Sequence, residues 1–120
     1  MRVAATVLVG MVAVIHAYFL VLEMFLWRTP FGRRVFGTTP EFAQASARLA
    51  ANQGLYNGFL VAALGWGLAA PDPTGFQFRV YALACVIVAG AYGALTVSRR
   101  ILLVQALPAA LALAAVVLAR

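Results

Sequence analysis

Two ionisable residues interrupt the first apolar run of the sequence, and their spacing places them on one side of a helix. His16 and Glu23 are seven residues apart, and two helical turns bring such residues back to within about 20° of one another. An imidazole and a carboxylate on one helix face can relay protons or bind a polar solute, and ionisable groups within a span rarely face lipid. The pair therefore predicts a polar site inside a helix bundle. The alternative is a Glu that reaches the membrane surface above a hydrogen-bonded core His.

A second set of polar residues lies within two turns of another apolar segment. Arg48, Asn52 and Tyr56 follow i, i+4 spacing and share one stripe of a helix. Buried amides need donors and acceptors that hydrocarbon does not supply, so facing helices must offer them. One such residue would only hold two helices together, but several converging from three helices predict a cavity. The predicted polar cluster, a candidate ligand or proton site, comprises His16, Glu23, Asn52, Gln53, Tyr56, Asn57 and Gln105.

Glycine and proline residues beside this cluster predict close packing and a kink. Gly54 and Gly58 are separated by three residues, a spacing that lets a second helix approach closely. Pro108 follows Gln105 by three residues and has no N–H to donate to the carbonyl of Val104. The last helix is therefore predicted to kink next to a polar side chain.

The elements that must position these residues are apolar. Of the 120 residues, 65% are hydrophobic and 10% are charged, whereas soluble domains have about 25% charged residues. Apolar runs of membrane-spanning length predict four helices, at 3–27, 40–70, 78–97 and 101–118. Their short connections require antiparallel neighbours. The sequence thus predicts an all-α fold, with one integral-membrane domain over 1–120 whose four transmembrane helices form an up-down-up-down bundle in the lipid bilayer.

The charged residues predict an orientation for this bundle. Nine arginines and no lysine give a formal net charge of +6. They lie mainly at the ends of apolar runs and in one loop, as membrane anchors do, so nucleic-acid binding is not expected. Six of the nine lie within 28–48 and 98–100. The positive-inside rule therefore places the basic loops 28–39 and 98–100 in the cytoplasm of a bacterial inner membrane, with both termini outside.

The chemistry of the cluster leaves three functions open. One His and one Glu are too few ligands for a transition metal, and no metal or cofactor is predicted. The favoured hypothesis is a site that binds or transports a small solute or relays protons, enclosed by a homo-oligomer. One alternative is a structural or assembly subunit of a membrane complex. The other is a membrane enzyme acting on a lipid-soluble substrate, although no nucleophile with a base beside it is evident.

The same residues carry a resemblance to a known family. The chain resembles the uncharacterised membrane family called domain of unknown function 1304, over nearly its whole length. The resemblance implies a four-helix integral membrane protein, mostly found in bacteria, and it brings no activity. The motifs that carry it are 16–19 with Glu23 and Trp27, the segment 52–58, and Gln105 with Pro108.

A fainter similarity is to the membrane-associated eicosanoid and glutathione enzymes. These are also small four-helix proteins, and their second helix has an Arg-x-x-x-Asn pattern that Arg48 and Asn52 match. The acidic residue that their pattern places one turn later is replaced by Tyr56. The similarity therefore does not extend to the residues expected for glutathione binding.

Overall fold

The chain is all-α in the computed structural model, which describes residues 1–120. The all-α prediction is confirmed, and α1 and α4 are each long and apolar enough to cross a membrane. The helix that contains α5 is apolar but shorter, so the four-span bundle stays a prediction. The elements are α1 Arg2–Met24, α2 Pro30–Phe36, α3 Pro40–Ala69, α4 Thr74–Thr96, a π-helical turn Leu102–Ala106, and α5 Leu107–Leu118.

The basic loop predicted after the first span contains the short helix α2. Thr29 begins it, because its Oγ1 accepts a hydrogen bond from the N–H of Gly32 at 3.1 Å. Pro30 follows in the first turn, where its missing N–H leaves no bond unmade. Gly37 ends the helix in the left-handed conformation, with φ of 67°. The loop predicted over 28–39 was therefore wrong for 30–36, because Pro30 and Gly37 mark the two ends of a helix.

Side-chain caps also set the starts of α3 and α4. The Oγ1 of Thr39 accepts a hydrogen bond from the N–H of Phe42 at 3.1 Å. The carboxylate of Asp72 accepts one from the N–H of Phe76 at 3.0 Å. This second cap lets α4 begin at Thr74, earlier than the start at 78 expected from hydropathy. A cap supplies an acceptor for the otherwise unpaired N–H groups of the first turn.

Contacts within the chain divide it into two units, 1–15 with 62–120 and 16–61. In the first unit, α4 packs closely against the π-helical turn. A Cβ added at Gly90 would lie 2.7 Å from the backbone N of Ala106, and one at Gly93 would lie 3.1 Å from Cδ1 of Ile101. The later residue of α4, Gly93, contacts the earlier residue of the partner, Ile101, so the two segments are antiparallel. Small and branched apolar side chains fill the interior of the unit, among them Val9, Leu64, Leu83, Val86, Ala109 and Ala112.

In the second unit, the last turns of α1 run antiparallel to the first half of α3. A Cβ added at Gly54 would lie 2.6 Å from Cγ of Met24 and 3.2 Å from the carbonyl oxygen of Leu20. One added at Gly58 would lie 2.9 Å from Cδ1 of Leu20. Gly54 and Gly58 therefore lie against α1, where larger side chains would separate the helices. Beyond the end of α1, Nε1 of Trp27 donates to Oγ of Ser46 at 3.0 Å.

Close packing at Gly90 predicts a loss of stability when that residue is enlarged. Gly90→Ala should lower the free energy of unfolding by about 1–3 kcal/mol, because the added methyl meets backbone atoms that cannot yield without moving a helix. The measurement is unfolding in SDS, followed by circular dichroism. Gly65→Ala is the matched control, since a Cβ there meets nothing within 4 Å, and Ala is the better helix former. Equal destabilisation by the two substitutions would contradict the close approach at Gly90.

Candidate functional site

A hydrogen bond joins the side chains of Glu23 on α1 and Asn57 on α3. Nδ2 of Asn57 donates to Oε1 of Glu23 at 2.5 Å. Asn57 is 6% exposed, and Glu23 is partly buried. The only ion pair in the structure joins Arg79 to Asp72, so an amide, rather than a guanidinium, fixes the Glu23 carboxylate. The bond joins two helices at a buried and a partly buried position, where an unpaired polar group would be costly.

His16 lies further into α1 than Glu23. Its side chain is 1% exposed, and its ring meets the ring of Phe19 edge-on at 5.9 Å between centroids. Seven residues of helix separate His16 from Glu23 by about 10 Å along the axis. Both side chains thus lie towards the interior at different depths, two turns apart on one helix.

Three other members of the predicted cluster are exposed on α3. Asn52, Gln53 and Tyr56 are exposed, and 57% of the surface of Tyr56 is accessible to solvent. Nδ2 of Asn52 donates to the backbone carbonyl of Arg48 at 2.9 Å. None of the three bonds to Glu23. The structure therefore brings Asn57 to Glu23 and leaves these three neighbours on the outside of the chain.

Gln105 lies in the π-helical turn of the first unit and is partly buried. The N–H of Leu107 donates to the carbonyl of Leu102, five residues earlier, and Pro108 follows in the first turn of α5. The irregularity expected at Pro108 therefore takes the form of a π-helical turn. Such turns are one of the recognised causes of a bend in a helix.

An open groove of about 560 Å³ lies beside Glu23, where α1 ends and α3 passes it. Its aromatic and basic residues are not members of the predicted polar cluster, although a Trp-Arg pair directly after an apolar run could have indicated them. The lining residues are Glu23, Met24, Phe25, Trp27, Arg28, Thr29, Ala47, Arg48 and Ala51.

Two residues that line this groove bond to side chains at the start of α3. The indole of Trp27 is fixed by its bond to Ser46 and lies 4.9 Å from the ring of Phe36, between centroids. Nη1 of Arg28 donates to Oε1 of Gln44 at 3.4 Å. Neither Arg28 nor Arg48 pairs with Glu23 within 4.0 Å. The groove thus presents an acidic side chain and two guanidinium groups that do not pair with it, beside the exposed ring of Phe25.

The bond between Asn57 and Glu23 predicts unequal effects of removing two asparagines of the same helix. Asn57→Leu should lower the free energy of unfolding by about 1–3 kcal/mol, because it leaves a partly buried carboxylate without its donor. Asn52→Leu should change it by less than about 0.5 kcal/mol, since that side chain is exposed. SDS unfolding monitored by circular dichroism measures both. A loss at position 52 as large as that at position 57 would contradict this geometry.

Comparisons with known proteins bear on nearly all of these residues. No curated protein and no solved structure matches the chain. A family model described as "Protein of unknown function (DUF1304)" matches residues 10–117. The matched range contains the residues that form the Glu23–Asn57 bond, the groove and the π-helical turn. The match confirms the resemblance inferred from the sequence. The chain belongs to the DUF1304 family.

Proposed function

We propose that this protein is a multi-pass membrane protein that binds a small zwitterionic amphiphile in the groove beside Glu23. The membrane location is supported by the surfaces of α1 and α4. In their most apolar windows only 33% and 22% of the residues, respectively, are buried inside the protein. Large apolar side chains such as Val14, Tyr81 and Val88 are exposed there. Contiguous apolar surface of this kind requires an apolar partner, and a bilayer supplies one.

The proposed membrane arrangement has four spans, with the groove at the basic end. Thirty residues make α3 about 45 Å long, more than the ~30 Å of the hydrocarbon core, so its first turns, up to about Arg48, can extend beyond the core. Glu23 lies one residue from the end of α1, and Trp27 and Arg28 follow. Trp and Arg are typical of the membrane interface. The groove would therefore open at the level of the lipid headgroups, on the side we propose to be cytoplasmic.

The ligand proposed for the groove follows from its unpaired acidic and basic groups. A carboxylate and two guanidinium groups that do not neutralise one another can each take an opposite charge from a ligand. An ammonium group would bind Glu23, whose other carboxylate oxygen accepts no hydrogen bond from the chain. A phosphate group would bind Arg28 and Arg48, since guanidinium groups match phosphate oxygens in geometry and charge. The apolar tail would lie against Phe25 and Met24, which also line the groove.

A second candidate function, as a subunit of a membrane assembly, is favoured by the outward side chains of α3. Asn52, Gln53 and Tyr56 present an amide-rich exposed stripe. Amides at membrane depth find no partner in lipid, and they pair across helix interfaces instead. A second copy of this chain offers the same stripe, as required for a two-fold symmetric contact. Under this proposal, chemical crosslinking in membranes yields a dimer that disappears when Asn52 and Gln53 are both replaced by Leu.

Binding of a zwitterion to the groove is tested with Trp27 as the reporter. In a Trp66→Phe background in neutral detergent micelles, dodecylphosphoethanolamine should shift the emission of Trp27 in a saturable way. Glu23→Gln should weaken this binding about tenfold or more, because the ammonium loses its counter-charge, and it should not weaken binding of dodecyl phosphate. Arg48→Gln should weaken binding of both.

The matched control for Arg48 is Arg34→Gln, since Arg34 is an exposed arginine of α2 outside the groove. This variant should bind both amphiphiles as the starting protein does. Identical dissociation constants for the Glu23→Gln, Arg48→Gln and Arg34→Gln variants would contradict the proposed site.

The proposed orientation is tested by cysteine labelling in intact spheroplasts. In a Cys85→Ser background, a membrane-impermeant maleimide should label Pro71→Cys and should reach Arg34→Cys and Arg99→Cys only after lysis. The physical reason is that both basic segments lie on the cytoplasmic side under the positive-inside rule. Labelling of Arg34→Cys and Arg99→Cys from opposite sides would contradict the four-span arrangement. Labelling of both before lysis, with Pro71→Cys labelled only after it, would show the opposite orientation.

A further inference from the structure

We propose that the unit formed by 1–15 and 62–120 contains a separate site for an oxyanion, a phosphate group above all. A pocket of about 200 Å³ lies within this unit, and three arginines from three segments of the chain line it: Arg2, Arg79 and Arg120. Thr6 and Asp72 are its other polar residues. The lining side chains therefore carry three guanidinium groups against a single carboxylate. Neither the predicted polar cluster nor the groove includes any of these residues.

Arg79 is fixed in the wall of this pocket before any ligand arrives. Its Nη1 donates to the backbone carbonyl of Gly67 at 2.5 Å, and its Nη2 donates to Oδ1 of Asp72 at 3.3 Å. The side chain is 18% exposed. A Cβ at Gly67 would lie 2.7 Å from Cγ of Arg79, so glycine leaves room for the arginine there. A donor that is already ordered loses little further freedom when it binds a ligand.

Asp72 offsets only one of the three guanidinium charges, because its carboxylate pairs with Arg79. The same Oδ1 that accepts from Arg79 also accepts from the N–H of Phe76 at the start of α4. Arg2 and Arg120 form no ion pair with it. Two guanidinium groups therefore lack a counter-charge among the lining side chains.

The positions of these two arginines suit a shared anion. Arg120 stacks on Phe76, with its Cζ 4.4 Å from the ring centroid, an arrangement that holds the guanidinium plane in one orientation. Arg2 lines the same pocket, and Thr6, one helical turn further along α1, supplies a hydroxyl. Like charges gathered in one pocket repel one another, and a bound anion relieves that repulsion.

The size of the pocket limits what can occupy it. A volume of 200 Å³ corresponds to about six or seven water molecules at ~30 Å³ each. That space accommodates a tetrahedral oxyanion with part of its hydration shell, and it is too small for an acyl chain. The phosphate could be that of a free ion or that of a lipid headgroup whose chains remain in the bilayer. Guanidinium groups would recognise it in the same way in both cases.

The test compares substitutions inside and outside the pocket. Arg2→Gln and Arg120→Gln remove charges from it without touching the bonds of Arg79, and the pair Arg99→Gln and Arg100→Gln is the control, removing two arginines outside it. One arm titrates delipidated protein in neutral detergent with inorganic phosphate by calorimetry. The other arm counts phosphatidylglycerol retained from mixed phosphatidylglycerol–phosphatidylcholine nanodiscs by native mass spectrometry. Circular dichroism confirms that each variant is folded.

We expect each pocket substitution to weaken binding about tenfold or more, the loss typical of a charge-assisted hydrogen bond, with no change in the control. Saturable binding of inorganic phosphate identifies a free anion as sufficient, whereas retention of phosphatidylglycerol alone identifies the headgroup. All of these variants are made in an Arg48→Gln background, in which phosphate binding to the groove is already weakened, so that a further loss reports on this pocket. Equal binding by the pocket variants and the control, or no binding in either arm, would overturn the proposal.

Discussion

The hydrogen bond from Asn57 to Glu23 is the constraint on which the second unit depends. A carboxylate one residue from the end of an apolar helix needs a donor, and the facing helix supplies it at 2.5 Å. The donor can reach it only because Gly54 and Gly58 let α3 approach Leu20 closely. Packing and polar pairing therefore specify the same register between α1 and α3. That register sets the position of Trp27 against Ser46, and with it the walls of the groove.

The two proposed sites differ in chemistry for reasons visible in their charges. In the groove, Glu23 accepts from an amide and leaves Arg28 and Arg48 free of ion pairing. In the pocket, the carboxylate of Asp72 is engaged by Arg79 and by the start of α4. In the groove an acidic group that pairs with neither arginine suits a ligand that also carries a positive charge. In the pocket one carboxylate pairs with one of three arginines, which leaves two guanidinium groups in excess. The same residue types thus favour a zwitterion in one unit and an anion in the other.

Much of the helical pattern could be predicted from the sequence, because hydropathy and caps act locally. The start of α3 at Pro40 is an example. The direction in which each polar side chain of α3 points could not be predicted. Helical spacing gives the angles among Asn52, Tyr56 and Asn57 around α3, but it does not show which side of α3 faces α1. The contact at Gly54 decides that angle, and it leaves Asn57 inside and the other two exposed.

The central claim is that Glu23 and Asn57 stabilise the protein through each other, and a double-mutant cycle tests it most directly. The free energies of unfolding of Glu23→Leu, Asn57→Leu and the double variant would be measured by SDS titration and compared with the starting protein. A direct bond predicts a coupling energy of about 1 kcal/mol or more, within the range for residues in contact. Additive losses, with a coupling energy near zero, would contradict the account.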